Sequence, residues 1–179
     1  MTQQYTPSPI LDLFYGCGAD HRGRSLDELQ DQDHDALERN HDYIQWMFPL
    51  PEPSGANAQA PTLTEADIAA FRSNPALRMK LNTSFRIMMR FYGLDLMGTE
   101  SGYLVKEIPT FEERHRIWLS PLNHNYLRLT RILRSMRLLG CASHAQALLT
   151  GLERLYKTHG TVIGPETLTY WRNAVKDER

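Results

Sequence analysis

Asn123-His-Asn-Tyr-Leu-Arg-Leu-Thr-Arg-Ile-Leu-Arg-Ser-Met-Arg-Leu-Leu139, followed by Gly140, decides the fold class. Leu129, Ile132, Leu133, Met136 and Leu139 recur at intervals of three and four, which gathers them on one face of a helix. Gly140, just past the last periodic residue, is the expected stop. Toward the C-terminus, Ser143 to Thr158 repeats the pattern through Ala145, Leu148, Leu149, Leu152 and Leu155. Pro165 then opens a last helix ending near Val175. Toward the N-terminus, Pro75 starts a helix in which Leu77, Leu81, Ser84, Met88 and Phe91 share roughly a third of the wheel, with Gly93 as its stop. Thr64 caps a short helix running to about Arg72, and Ser25 caps one to Asp31, with Asp27 and Glu28 in its first turn. Leu37, Ile44 and Phe48 predict one helix from about Asp35 to Phe48, ended by Pro49. Only Gly98 to Pro109, where Tyr103, Val105 and Glu107 alternate, leaves room for a short strand or hairpin. The expectation is all-α: a compact single-domain array of about six to seven helices, with at most one β-hairpin near 98–109. Residues 1–24 read as an N-terminal extension and residues 25–179 as the domain.

The 179 residues, 41% hydrophobic, are enough for one core. Twenty basic side chains against 21 acidic ones give a net charge of −1, which argues against a dedicated nucleic-acid binder. Cys17 and Cys141 are too few for a disulfide scaffold or a cysteine zinc site. The first ten residues, MTQQYTPSPI, are polar, and no apolar run approaches the ~20 residues of a membrane span. A soluble, cytoplasmic chain with reduced thiols is expected. Pro49, Pro51, Pro53 and Pro61 mark an ordered but irregular loop. No internal repeat appears.

The chemistry concentrates in two stretches. On a continuous helix through Leu37-Glu-Arg-Asn-His-Asp-Tyr-Ile-Gln-Trp-Met-Phe-Pro49, Asn40 and His41 flank the apolar seam, with Glu38 and Gln45 beside His41. Polar groups at the border of a core stripe need hydrogen-bond partners. They form either a structural network or the wall of a polar pocket. Trp46 projects opposite the seam with Arg39, to cover another helix or mark an interaction face. In the second stretch His124, Arg128 and Arg131 share one strip of a helix. Arginines three apart repel unless something negative faces them. Residues 20–42 hold eight acidic and three basic side chains, and residues 111–139 hold six arginines and two glutamates. These charges either meet as internal salt bridges, Glu38 or Asp42 against Arg128 or Arg131, or hold a ligand's carboxylate or phosphate.

Other candidates are weaker. Asp31, Asp33, His34 and Asp35 have metal-ligating chemistry, but alternating acids at a helix start read more simply as a solvated, dipole-favoured turn. His115 and His124 have no recognisable ligand spacing. Nothing around Cys141 lowers a thiol pKa in the way catalysis needs. No nucleotide loop, Ser/His/Asp signature, HExxH or CxxC pattern is present, so no cofactor, metal or catalytic residue is implied.

Residues 37–49, followed by Leu50 and Glu52-Pro53, resemble the signature of the opioid growth factor receptor conserved domain. The likeness continues through Pro61-Thr-Leu-Thr64, Phe71, Phe91-Tyr-Gly93 and His124-Asn125-x-Leu127-Arg128-x-Thr130-Arg131-Ile132-Leu133. It spans roughly Asp35 to Tyr170 and contains rare residues in order. The resemblance implies a receptor family whose vertebrate members bind methionine-enkephalin, associate with the nuclear envelope and restrain cell growth. Those members carry a long C-terminal tail that this chain lacks, so it looks like a stand-alone form of the kind found in bacteria. The family supplies no catalytic residues, and it emphasises the same two stretches, Glu38 to Trp46 and His124 to Arg131.

Three functions are compatible with these residues. The first is a non-enzymatic binding domain for a small anionic or zwitterionic ligand or a short peptide. Its site would be made by Glu38, Asn40, His41, Gln45, His124, Asn125, Arg128 and Arg131, with Glu38 taking an amine and the arginines a carboxylate. The second is a small-molecule enzyme with His41 or His124 as acid–base group and Arg128 and Arg131 as an anion clamp. The third is a structural adaptor whose polar motifs only lock the fold.

Overall fold

The computed structural model describes residues 8–176, and the polar start of the expected extension, residues 1–7, lies outside them, as do residues 177–179. Among the described residues the chain forms ten helices and one two-stranded antiparallel hairpin, a mainly helical fold as expected. The described residues fall into two compact units, divided between Leu81 and Asn82.

In the first unit each helix start has its own chemical cause. Helix α1 (Pro9–Tyr15) begins with Ser8 accepting the Leu11 N–H, and α2 (Leu26–Gln30) with a reciprocal capping box between Ser25 and Glu28. Asp33 caps α3 (His34–Arg39), and Thr64 and Asp67 make a second capping box for α5 (Glu65–Ser73). Phe14 of α1 meets Phe71 of α5 edge-to-face at 4.8 Å, and both are fully buried, so α1 contributes Ile10, Leu11, Leu13 and Phe14 to the unit's core. The proline-rich loop is ordered and closes on itself through the Leu63 N–H to the Leu50 carbonyl, 3.0 Å.

The expected single helix from Asp35 to Phe48 does not form. It is interrupted after Arg39 and resumes as α4 (Ile44–Met47), with Asn40 in extended backbone (ψ 138°). Asn and Asp compete with helix by bonding elsewhere, and here Asn40 Nδ2 donates to Gln32 Oε1 at 2.8 Å. The Leu37 carbonyl, which a continuous helix would give to the amide of His41, is taken instead by the Tyr43 hydroxyl at 3.0 Å.

Helix α6 (Pro75–Phe91) starts at the predicted proline and passes from the first unit into the second. The second unit continues with β1 (Leu94–Thr99), β2 (Gly102–Glu107), α7 (Phe111–Trp118), α8 (Asn125–Leu138), α9 (Ala142–Ile163) and α10 (Pro165–Ala174). The hairpin begins at Leu94, earlier than expected, and pairs Leu96 with Val105 and Met97 with Leu104. Both edges are blocked by arginine. Arg86 donates to the Leu96 carbonyl at 3.1 Å while Asp95 takes the Leu96 amide, and Arg154 donates to the Val105 carbonyl on the other strand.

Helix α7 was not legible in periodicity. Its role is to close the end of α6: Arg114 Nε donates to the Phe91 carbonyl at 2.8 Å and Trp118 Nε1 to the Tyr92 carbonyl at 3.1 Å. Helices α8, α9 and α10 pack on one another, and β2 lies on α9. Helix α9 runs beyond its expected end at Thr158 to Ile163, with non-helical backbone at His159.

Candidate functional site

The first turn of α8 is organised by amides. Asn123 Oδ1 accepts from both the backbone N–H and the side-chain Nδ2 of Asn125, at 2.9 and 3.0 Å, while Asn123 Nδ2 anchors to the Ile117 carbonyl and Ser120 Oγ. Asn125 is fully buried, which orients its Oδ1 to accept from Arg128 Nη1 at 3.2 Å and from the Tyr92 hydroxyl at 3.5 Å. Arg128 itself is only 5% exposed. A neutral amide relay therefore helps to set the plane of this buried guanidinium, a group whose planar fork is suited to a carboxylate. His124 is the half-buried cap residue of α8, though its side chain does not cap, and Arg131 is half-buried one turn beyond Arg128. Beside them the Tyr126 hydroxyl is buried without a hydrogen-bond partner, and burial pushes its phenol pKa upward.

In the first unit the break at residues 40–43 redistributes the other predicted residues. Glu38 is half-buried on α3, Asn40 ends that helix, and His41 is exposed. Gln45 is buried, its Nε2 3.4 Å from Ser54 Oγ and its Oε1 without a partner. Trp46 is covered rather than presented: the indole is 4% exposed, donates from Nε1 to His21 Nδ1 at 3.1 Å and stacks on that ring. The wheel that placed Trp46 beside Arg39 assumed a continuous helix, and the break removes that relation.

Asp42 finds its cations locally. It pairs with Arg22 at 2.9 Å, with Arg24 at 3.1 Å and, more distantly, with His21 at 3.8 Å. Arg24 also forms a two-pronged pair with Asp20, whose side chain has no exposed surface. Burial acts to raise the Asp20 pKa, but the Arg24 guanidinium and the backbone amides of Arg24 and Arg22 outweigh it and hold the carboxyl below its ordinary value. Burial likewise acts to lower the Arg24 pKa, and the two carboxylates reverse it. Asn57 joins this network by donating to the Asp42 carbonyl. Sequence reasoning missed His21, Asp20 and Arg24, although Asp20 and Arg24 stand at the i, i+4 spacing of an ion pair.

The family description "Opioid growth factor receptor (OGFr) conserved region" matches residues 23–179. The mouse opioid growth factor receptor is 41% identical over 116 residues, which is 65% of this chain and 18% of that protein. The human opioid growth factor receptor is 36% identical over 146 residues, 80% of this chain and 21% of the relative. Rat opioid growth factor receptor-like protein 1 is 32% identical over 149 residues, covering 82% of this chain and 31% of its own length. The chain thus spans less than a third of the length of these relatives. No solved structure matches the chain.

Proposed function

The chain belongs to the family of the opioid growth factor receptor conserved region, and from that premise we propose that it is a non-enzymatic binding domain for a short peptide or other carboxylate-bearing ligand. The observation that carries this reading is the buried Arg128 guanidinium, oriented by Asn125 through the relay from Asn123 and Tyr92. A guanidinium whose plane is held in advance loses little freedom on meeting a carboxylate, which favours bidentate pairing with one. The names of the relatives refer to an opioid growth factor, which makes an opioid peptide with a free C-terminal carboxylate the first ligand to try.

The test is calorimetric titration with methionine-enkephalin as the free acid and as the C-terminal amide. The acid should bind and the amide should bind at least tenfold more weakly. Arg128→Lys, which keeps the charge and loses the fork, should cost about tenfold, or ~1.4 kcal/mol. Equal affinity for acid and amide would remove the carboxylate reading, and so would a complete absence of binding in the folded protein. Glu38→Gln, His41→Ala and Gln45→Ala in the same series measure the part played by the other predicted residues. The adaptor reading draws support from one arrangement, the closed set of ion pairs joining Asp20, Arg24 and Asp42. It predicts that these variants lower stability and leave no ligand to find.

A further inference from the structure

We propose that His115 and His159 form a binding site for a borderline transition-metal dication, with zinc as the representative ion and coordination positions left for an incoming ligand. This site is separate from the carboxylate reading of Arg128 and does not depend on it. His115 lies on α7 and His159 at the bend of α9, and the two rings are in contact with centroids 6.2 Å apart and planes 35° from parallel.

The His115 ring is set in the way metal-ligating imidazoles are set. Its Nδ1 lies 3.0 Å from the Phe111 carbonyl oxygen. A carbonyl only accepts, so Nδ1 carries the proton and the lone pair of the neutral ring is on Nε2. The Phe111 ring stacks on the imidazole at 5.3 Å and fixes its plane. A backbone carbonyl holding the far nitrogen of an imidazole is the outer-shell contact that fixes tautomer and direction in metal sites.

His159 supplies the second, independent sign. It is the residue at which α9 leaves helical geometry, with φ −117° and ψ 18°, in the sparsely populated bridge region where functional residues concentrate. Among the described residues its ring has no hydrogen bond or ion pair, and its one ring contact is with His115. Both residues are half-buried, so the site is reachable from solvent and partly shielded from it.

The geometry is close to what a shared ion requires. Zn–N bonds of about 2.0–2.1 Å at a tetrahedral angle bring two ring centres to about 5 Å. The observed separation of 6.2 Å therefore needs to close by about 1 Å for both rings to share one ion. Imidazole donors suit zinc, copper and nickel over magnesium and calcium. Among the described residues no group of three or more His, Cys, Asp or Glu side chains stands ready to hold a metal. Two protein donors leave the remaining positions of a four-coordinate ion to water or to a donor atom of a ligand.

Zinc chloride titrated into the chelator-stripped full chain, in competition with a chromophoric chelator, tests this. One equivalent should bind. His159→Asn, which tolerates the same backbone, and His115→Phe, which keeps the stack on Phe111, should each weaken binding at least tenfold, while His34→Ala leaves it unchanged. In the unaltered protein, zinc should protect His115 and His159 from carbethoxylation by diethyl pyrocarbonate, mapped by mass spectrometry, whether or not the variants fold. The proposal is overturned if zinc fails to bind at millimolar concentration, if both folded variants retain the affinity, or if the protected histidines are others.

Discussion

The carboxylate of Asp20 is enclosed on every side, with two backbone amides and a two-pronged Arg24 guanidinium around it. Arg24 in turn reaches Asp42, so one guanidinium serves two carboxylates and a second arginine, Arg22, shares the outer one. Removing one partner of a buried pair leaves the other charge desolvated and poorly matched. Asp20→Asn should therefore destabilise the protein by about 3 kcal/mol at neutral pH. The Asp20 pKa is depressed in the folded state, so its contribution is present above the unfolded value of 3.8 and is lost as the pH falls through the folded value. Urea unfolding at pH 7 and at pH 3 should show the variant and the parent converging in acid. A difference of the same size at both pH values would mean that Asp20 acts by shape and not by charge.

At the scale of the element, the join between α6 and the hairpin is held from outside. The last carbonyl of α6, that of Phe91, is taken by Arg114 of α7 and the next one, that of Tyr92, by Trp118, and Arg114 lies over the Phe91 ring with its guanidinium carbon 4.9 Å from the centroid. Close approach of α7 is possible because residue 93 is glycine. Gly93 has φ 76°, and a Cβ there would sit 2.6 Å from the Phe111 Cα. Gly93→Ala suffers both the left-handed backbone and an overlap with main chain that no side-chain rotation relieves. It should cost about 3 kcal/mol or more, read as a fall in the urea midpoint with unchanged slope. A loss below about 0.5 kcal/mol, the range of an ordinary surface substitution, would show that α7 moves away freely.

At the scale of the whole molecule, the response to acid follows from which groups fold uncharged. Burial first, and then the nearby positive charge of Arg86, lower the pKa of His144 from its ordinary 6.5. The ring lies tilted against Tyr103 of the hairpin, with centroids 4.3 Å apart, and meets Phe85 edge-on. The unfolded chain takes up this proton first, so the contribution is full above about pH 6.5 and is lost as the pH falls below it toward the folded value. Asp20 begins to fail only further into acid. Thermal melts between pH 7.5 and pH 5 should show a falling Tm that His144→Phe flattens. An identical slope in that variant would assign the pH dependence to the remaining histidines.

The amino-acid sequence by itself determined the helical class, the family, and most helix starts, because caps and prolines act within a few residues. Ser25 with Glu28, Thr64 with Asp67, Pro75 and Pro165 are legible for that reason. It also placed Asn125 and Arg128 together, since a spacing of three on a helix is itself a contact. Tertiary structure alone decided the break at Asn40, where Gln32 and the Tyr43 hydroxyl compete successfully for groups that a helix would otherwise use. It likewise buried Trp46 against His21, put Arg114 on the end of α6, and set His159 beside His115. Each of these joins residues distant in the chain through hydrogen bonds or ring contacts. Periodicity reports only which face of an element is apolar, and is silent about which polar group arrives there from elsewhere.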